Sequence, residues 1–225
     1  MKSEFLNGVS IYRYEFKTIM IIGITMAIPI QIFFLFFSNY LSVPYVLMGI
    51  PIWQNIIQMF FIMVSFSLLQ VPFIVLFRFH VSDFDFSYKD IFIQSFRYFF
   101  LLYLTSIFTA LVCIMGMFMF VLPGILLLVL LLAIPQSIIL EENNLWKSIR
   151  YSISFGKANL GKLLFILFIF FLFDIFLSYL AYVTAIYISN LSIIINFFFI
   201  AINGLLIPIF IFTLSSMYTS WNKKL

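Results

Sequence analysis

The sequence predicts an all-α, polytopic membrane protein with six transmembrane helices and both termini cytoplasmic, and three observations carry that reading. The first is composition: 65% of the 225 residues are hydrophobic and 9% are charged, against roughly a quarter charged in soluble domains. The second is the length of the apolar runs. Six of them, near residues 18–38, 55–79, 98–120, 124–140, 163–187 and 193–217, reach or approach the roughly 20 residues that a helix needs to cross about 30 Å of hydrocarbon. The third is charge placement. With those six spans, all 12 basic residues fall on one side of the membrane, and the retention of Lys and Arg in short cytoplasmic loops makes that side the cytoplasm. The loops on the other side carry no charge, and every acid but Asp174 shares the basic side. An odd number of spans would destroy this agreement.

Taken in order, the N-terminal stretch to Lys17 mixes acids with bases, and no small-residue cleavage pattern follows the first span, so that span reads as a retained anchor. Phe5, Val9, Tyr12 and Phe16 make an apolar stripe ahead of it. From Ser38 to Asn55 there is no charge, and Pro44 and Pro51 bracket what reads as an interfacial loop. Before the third span, Tyr88, Phe92, Ser95, Phe96 and Phe99 form a second stripe, with Ser87 and Asp90 at capping-box spacing. Pro123-Gly124 joins the third and fourth spans with no charge between them, which predicts a tight hairpin at that pair. Glu141 and Glu142 end the fourth span, the shortest. Beyond them Leu145, Ile149 and Ile153 share one helix face while Lys147, Arg150, Ser154 and Lys157 follow one another on another, so the segment should lie on the membrane surface. Amphipathic surface helices thus precede spans 1, 3 and 5, each with an Arg-Tyr pair at Arg13, Arg97 or Arg150. Their unequal separations leave two readings open, an internal repeat and a shared way of anchoring cytoplasmic loops. Residues 1–225 read as a single integral membrane domain.

The same sequence excludes several chemistries. Cys113 and His80 are each the only residue of their kind, which rules out an intrachain disulfide and any site built from several thiolates or imidazoles. No paired intramembrane aspartates, His-Glu metal motif or Ser-His combination is present, so the chain is expected not to be an enzyme, and nothing calls for a cofactor or a nucleic-acid partner. Gly156–Lys162, GKANLGK, matches most of a phosphate loop, but Leu163 stands where Ser or Thr would bind magnesium and no strand precedes it. The glycines read instead as a turn from the surface helix into the fifth span. Asp83 and Asp85 offer two carboxylates without a third ligand, which reads as a solvated turn.

Asp174 is the one ionisable residue near the middle of a span. Its readings are a proton or substrate site and a helix-packing hydrogen bond, with Gln31, Gln70, Gln136, Asn196 and Asn203 as candidate partners. Pro29, Pro72, Pro135 and Pro208 fall within spans and allow kinks. Arg13, Arg97, Lys147, Arg150, Lys157 and Lys162 make a basic surface suited to anionic lipid or to a membrane or cytoplasmic protein partner.

Pro123-Gly124-Ile125, the span with Pro135, Glu141 at its end, and then Ser148 or Ser152 and Gly156 resemble a broad bacterial group, the membrane domain attached to some glycerophosphoryl diester phosphodiesterases and its stand-alone relatives. The resemblance implies a six-span module in a bacterial cytoplasmic membrane. The 225 residues read as that membrane module without the soluble phosphodiesterase domain, and the family supplies little mechanism. The expected role is a non-enzymatic accessory or scaffold for export or envelope protection. The alternatives are a small secondary transporter or permease using Asp174, and an enzyme acting on lipid headgroups through Asp83, Asp85, Glu141 and Glu142.

Overall fold

The computed structural model describes residues 2–82, 86–188 and 191–223, and every regular element among them is helical. Apolar runs of this length find no water for their backbone groups in a bilayer, so a helix, which satisfies its own amides and carbonyls, is the form that composition enforces. Six helical stretches are long and apolar enough to cross a membrane: Phe16–Leu47, Pro51–Val81, Tyr88–Met119, Val121–Glu141, Leu145–Ile188 and Ile194–Asn222. Asp83, Asp85 and Lys224 lie outside the described residues.

Helix α1 (Lys2–Tyr14) precedes a first span assembled from α2 (Phe16–Ile22), a π-helical turn (Gly23–Ala27) and α3 (Ile28–Leu47). Pro29 has no amide to give the carbonyl one turn earlier, and the widened turn just before it accommodates that loss. The expected loop from Ser38 to Asn55 is much shorter than that: α3 continues through Pro44 to Leu47, and α4 (Pro51–Val81) starts four residues on. Gly49 explains the sharp stop. At φ +69° it takes the left-handed conformation, while the Ile50 amide reaches back to the Tyr45 carbonyl at 2.9 Å and the Gly49 amide to the Val46 carbonyl at 3.1 Å.

Helix α5 (Tyr88–Met119) opens with the expected box contact, the Ser87 amide donating to the Asp90 carboxylate at 2.8 Å. The hairpin after it turns three residues before Pro123, at Phe120, whose backbone is extended. Pro123 falls in the first turn of α6 (Val121–Leu131), where a missing amide costs nothing, and Gly124 lets the two helices touch. A methyl group on Gly124 would meet the Met117 amide nitrogen at 2.8 Å. Helix α7 (Ile134–Glu141) completes the fourth span after a break at Ala133.

Helix α8 (Leu145–Ile188) runs 44 residues, capped at its start by Asn144, whose side-chain oxygen accepts from the Lys147 amide at 3.2 Å. At about 1.5 Å per residue it is roughly twice the thickness of a hydrocarbon core. Its bend lies at Asn159, where φ is −123°, and the helix runs on through Gly161 without a turn. Gly156 serves close approach: a methyl group there would lie 2.9 Å from the Leu130 Cα. The last span is α9 (Ser192–Asn222).

The segments expected as separate surface helices are joined to their spans in two cases, within α5 and within α8, and each packs one face against the rest of the protein. In α1 the buried row is Gly8, Ile11 and Glu15, while Phe5, Val9 and Phe16 are exposed. In α5 it is Ile91, Ser95, Tyr98 and Leu102, with Phe96 exposed. In α8 it is Ser148, Ser152, Phe155 and Gly156. Helices in lipid gain little by hiding large apolar side chains from one another, and in these rows small residues share the contacts with Ile91, Tyr98 and Phe155.

The core surrounds the second half of α4. Every residue from Leu68 to Phe77 is buried, packed against α2, α5, α7 and α9, with Phe155, Phe212 and Tyr218 closing around it. The helix ends that carry the charges meet beside this core.

Candidate functional site

Away from the charged end, four spans separate and leave a cavity of about 660 Å³ between α3, α4, α8 and α9. The polar groups on its wall come in pairs seven residues apart: Gln31 and Ser38 on α3, Gln58 and Ser65 on α4, Asn196 and Asn203 on α9. Two helical turns bring such pairs onto one face, so each helix turns a polar stripe inward within an otherwise apolar span. Among the described residues Asp174 on α8 is the one charged residue on that wall. Apart from Asn39 the rest of the wall is aliphatic and aromatic, with the Phe210 ring 5.9 Å from that of Phe66 and 5.2 Å from that of Phe170.

Asp174 is half-buried, and no hydrogen bond from another described residue reaches its carboxylate. A charge at mid-span costs about 2.5–3.5 kcal/mol on insertion scales, so an unpartnered carboxylate there calls for an occupant, water or a proton. The Gln31 side-chain amide nitrogen is also buried without a partner. Of the five proposed partners of Asp174, the cavity gathers Gln31, Asn196 and Asn203. Gln70 and Gln136 are placed elsewhere: the Gln136 amide donates to the Gln70 carbonyl oxygen at 3.1 Å inside the core. Of the missed members, Ser38, Gln58 and Ser65 had a readable signal in the seven-residue spacing, and Asn39 had none.

A second cavity of about 220 Å³ lies between α4, α5, α6 and α7, and carries Gln70, Thr105, Ser106 and Cys113. Phe66 and Leu167 line both cavities and so form the partition between them.

At the charged end Arg78 joins three spans. Its guanidinium donates to the Tyr98 hydroxyl and the Ile139 carbonyl, each at 3.0 Å, and to the Glu142 carboxylate at 2.7 Å. That pairing holds the Glu142 carboxyl below its ordinary value of 4.5, with Arg97 adding to the effect. It also fixes a residue in the left-handed conformation, φ +53°, which a non-glycine side chain rarely adopts. Ser152 bridges the break in the fourth span, accepting from the Ala133 amide at 3.1 Å and donating to the Leu130 carbonyl at 2.7 Å. His80 sits 3.4 Å from the buried Glu15 carboxylate and against the Tyr14 ring. Of the residues quoted for the membrane-domain resemblance, Gly124, Ser152 and Gly156 make helix contacts, and Pro135 lines the second cavity.

The basic side chains Arg13, Arg97, Lys147, Arg150, Lys157 and Lys162 are all exposed, with the Lys147 ammonium over the Tyr151 ring at 5.4 Å. Among the described residues no three of His, Cys, Asp and Glu are grouped to hold a metal ion. No family model, curated protein or solved structure matches the chain.

Proposed function

We propose that the protein is a small carrier or permease that holds an amphiphilic molecule in the four-span cavity, with Asp174 as its recognition or coupling group. The observation that carries this reading is the convergence of one unpartnered carboxylate and three inward polar stripes on a single drug-sized space inside otherwise apolar helices. Groups of this kind are costly in a bilayer and face pathways or partners when they occur. The reading sets the charged end in the cytoplasm of a bacterial membrane, in keeping with the distribution of Lys and Arg. The test needs no known ligand. In a Cys113→Ser background, Ser65→Cys is reconstituted in one orientation and exposed to a membrane-impermeant thiol reagent from each side in turn. Alternating access predicts labelling from both sides; labelling from one side only, or from neither, contradicts carriage.

A second reading, an accessory protein that engages anionic lipid or a partner protein, draws support from the six exposed basic residues. Replacing Lys147, Arg150 and Lys157 together with Gln should then weaken binding to vesicles containing phosphatidylglycerol. Unchanged binding counts against it.

A further inference from the structure

We infer that the molecule held in the cavity is a single-chain amphiphile with an amine headgroup, drawn sideways from the bilayer. The inference rests on the carrier reading above and narrows it to a ligand class. Charge decides the headgroup. Among the described residues Asp174 is the one ionisable group on the wall and no basic residue lines it, so an ammonium completes the one unpaired charge while an anionic headgroup would face a carboxylate with nothing to offset it. The side-chain amides of Asn196, Asn203 and Gln31 supply acceptors for the remaining ammonium protons and a donor for a neighbouring oxygen. Shape decides the tail. The aromatic floor of Phe66, Phe170 and Phe210 is apolar, and a space of about 660 Å³ takes one chain with a compact headgroup. Access follows from the rim: Ile62 and Phe171 line the cavity and are 67% and 59% exposed, on helix faces that meet lipid in the bilayer.

The experiment measures binding of three single-chain probes of equal length, a primary amine, an alcohol and a carboxylate, by displacement of a fluorescent alkylamine from the purified full-length protein in nanodiscs of uncharged lipid. The amine should bind about tenfold more tightly than the alcohol, the yield of one charge-assisted hydrogen bond, and the carboxylate most weakly. Asp174→Asn should bring the amine to the level of the alcohol, and Asn203→Leu should weaken both. Equal binding of amine and alcohol, preference for the carboxylate, or an unchanged ranking in Asp174→Asn overturns the amine assignment and leaves the carrier reading standing on the alcohol. Binding of none of the three by the unaltered protein overturns both.

Discussion

The two halves of α4 live in different proteins. From Leu68 to Phe77 the helix is enclosed on every side, whereas from Pro51 to Ile62 it is exposed or half-exposed and borders the large cavity and the lipid face. The spans repeat the contrast. The most hydrophobic stretch of the second is 67% buried, that of the fifth 11%. Both are similarly apolar, so hydrophobicity alone did not decide which packs. Where Gly8, Ser95, Ser148, Ser152 and Gly156 occur, helices close upon one another. Where paired amides occur without partners, they stand apart.

The largest break in this comparison should come from a glycine at a close approach. Gly156→Ala sets a methyl group 2.9 Å from the Leu130 backbone and 3.3 Å from the Val129 carbonyl oxygen, neither of which is a flexible side-chain end. It should destabilise the protein by about 1–3 kcal/mol, read by denaturation in detergent. Gly161→Ala, with nothing within 4 Å, is the contrast and should be neutral or slightly stabilising.

Next is the core amide pair. Gln136→Leu leaves Gln70 unpartnered and should cost about 0.6–1.7 kcal/mol, the range for hydrogen bonds between membrane helices, with the Gln70→Leu/Gln136→Leu double variant recovering part of the loss. In the open half, Asn203→Leu should leave stability unchanged or raised. A loss there as large as that in the core would erase the distinction.

The smallest effect is the pH dependence at the charged end. The Glu142 carboxyl lies below 4.5 in the folded protein, so its pairing with Arg78 contributes in full above that value and is lost as pH falls through the depressed one. Glu142→Gln should flatten stability between pH 5 and 3, an interval of about two units around the ordinary Glu value. The exposure of the pair keeps the effect small.

How much of this was legible in the sequence follows the same division. The six long apolar helices were, because length and hydropathy fix them without reference to neighbours. Helix ends were less so. Pro44 suggested a loop, yet its missing amide is tolerated within a lipid-length helix and Gly49 sets the boundary. The oily stripes through Phe5 and Phe96 were read as faces for the bilayer, and both residues are exposed; that Gly8, Ser95 and Ser148 on the same segments pack against neighbouring helices was not read. Asp174 was conspicuous, and the sequence supplied Asn196, Asn203 and Gln31 as companions. That Gln136 donates to Gln70 instead depends on the depth at which α4 meets α7, which no local pattern encodes. The seven-residue polar spacing was readable one helix at a time; its convergence from three helices onto a carboxylate from a fourth was not.

The central claim is that the open half is a site and the packed half its frame. Native mass spectrometry of the full-length protein released from its own membrane tests it most directly. The account predicts one small molecule bound per chain, with the mass of an amine-bearing amphiphile, and its loss from Asp174→Asn while Gly161→Ala retains it. A bare chain, the same adduct on Asp174→Asn, or a stoichiometric protein partner in place of a small molecule would contradict it.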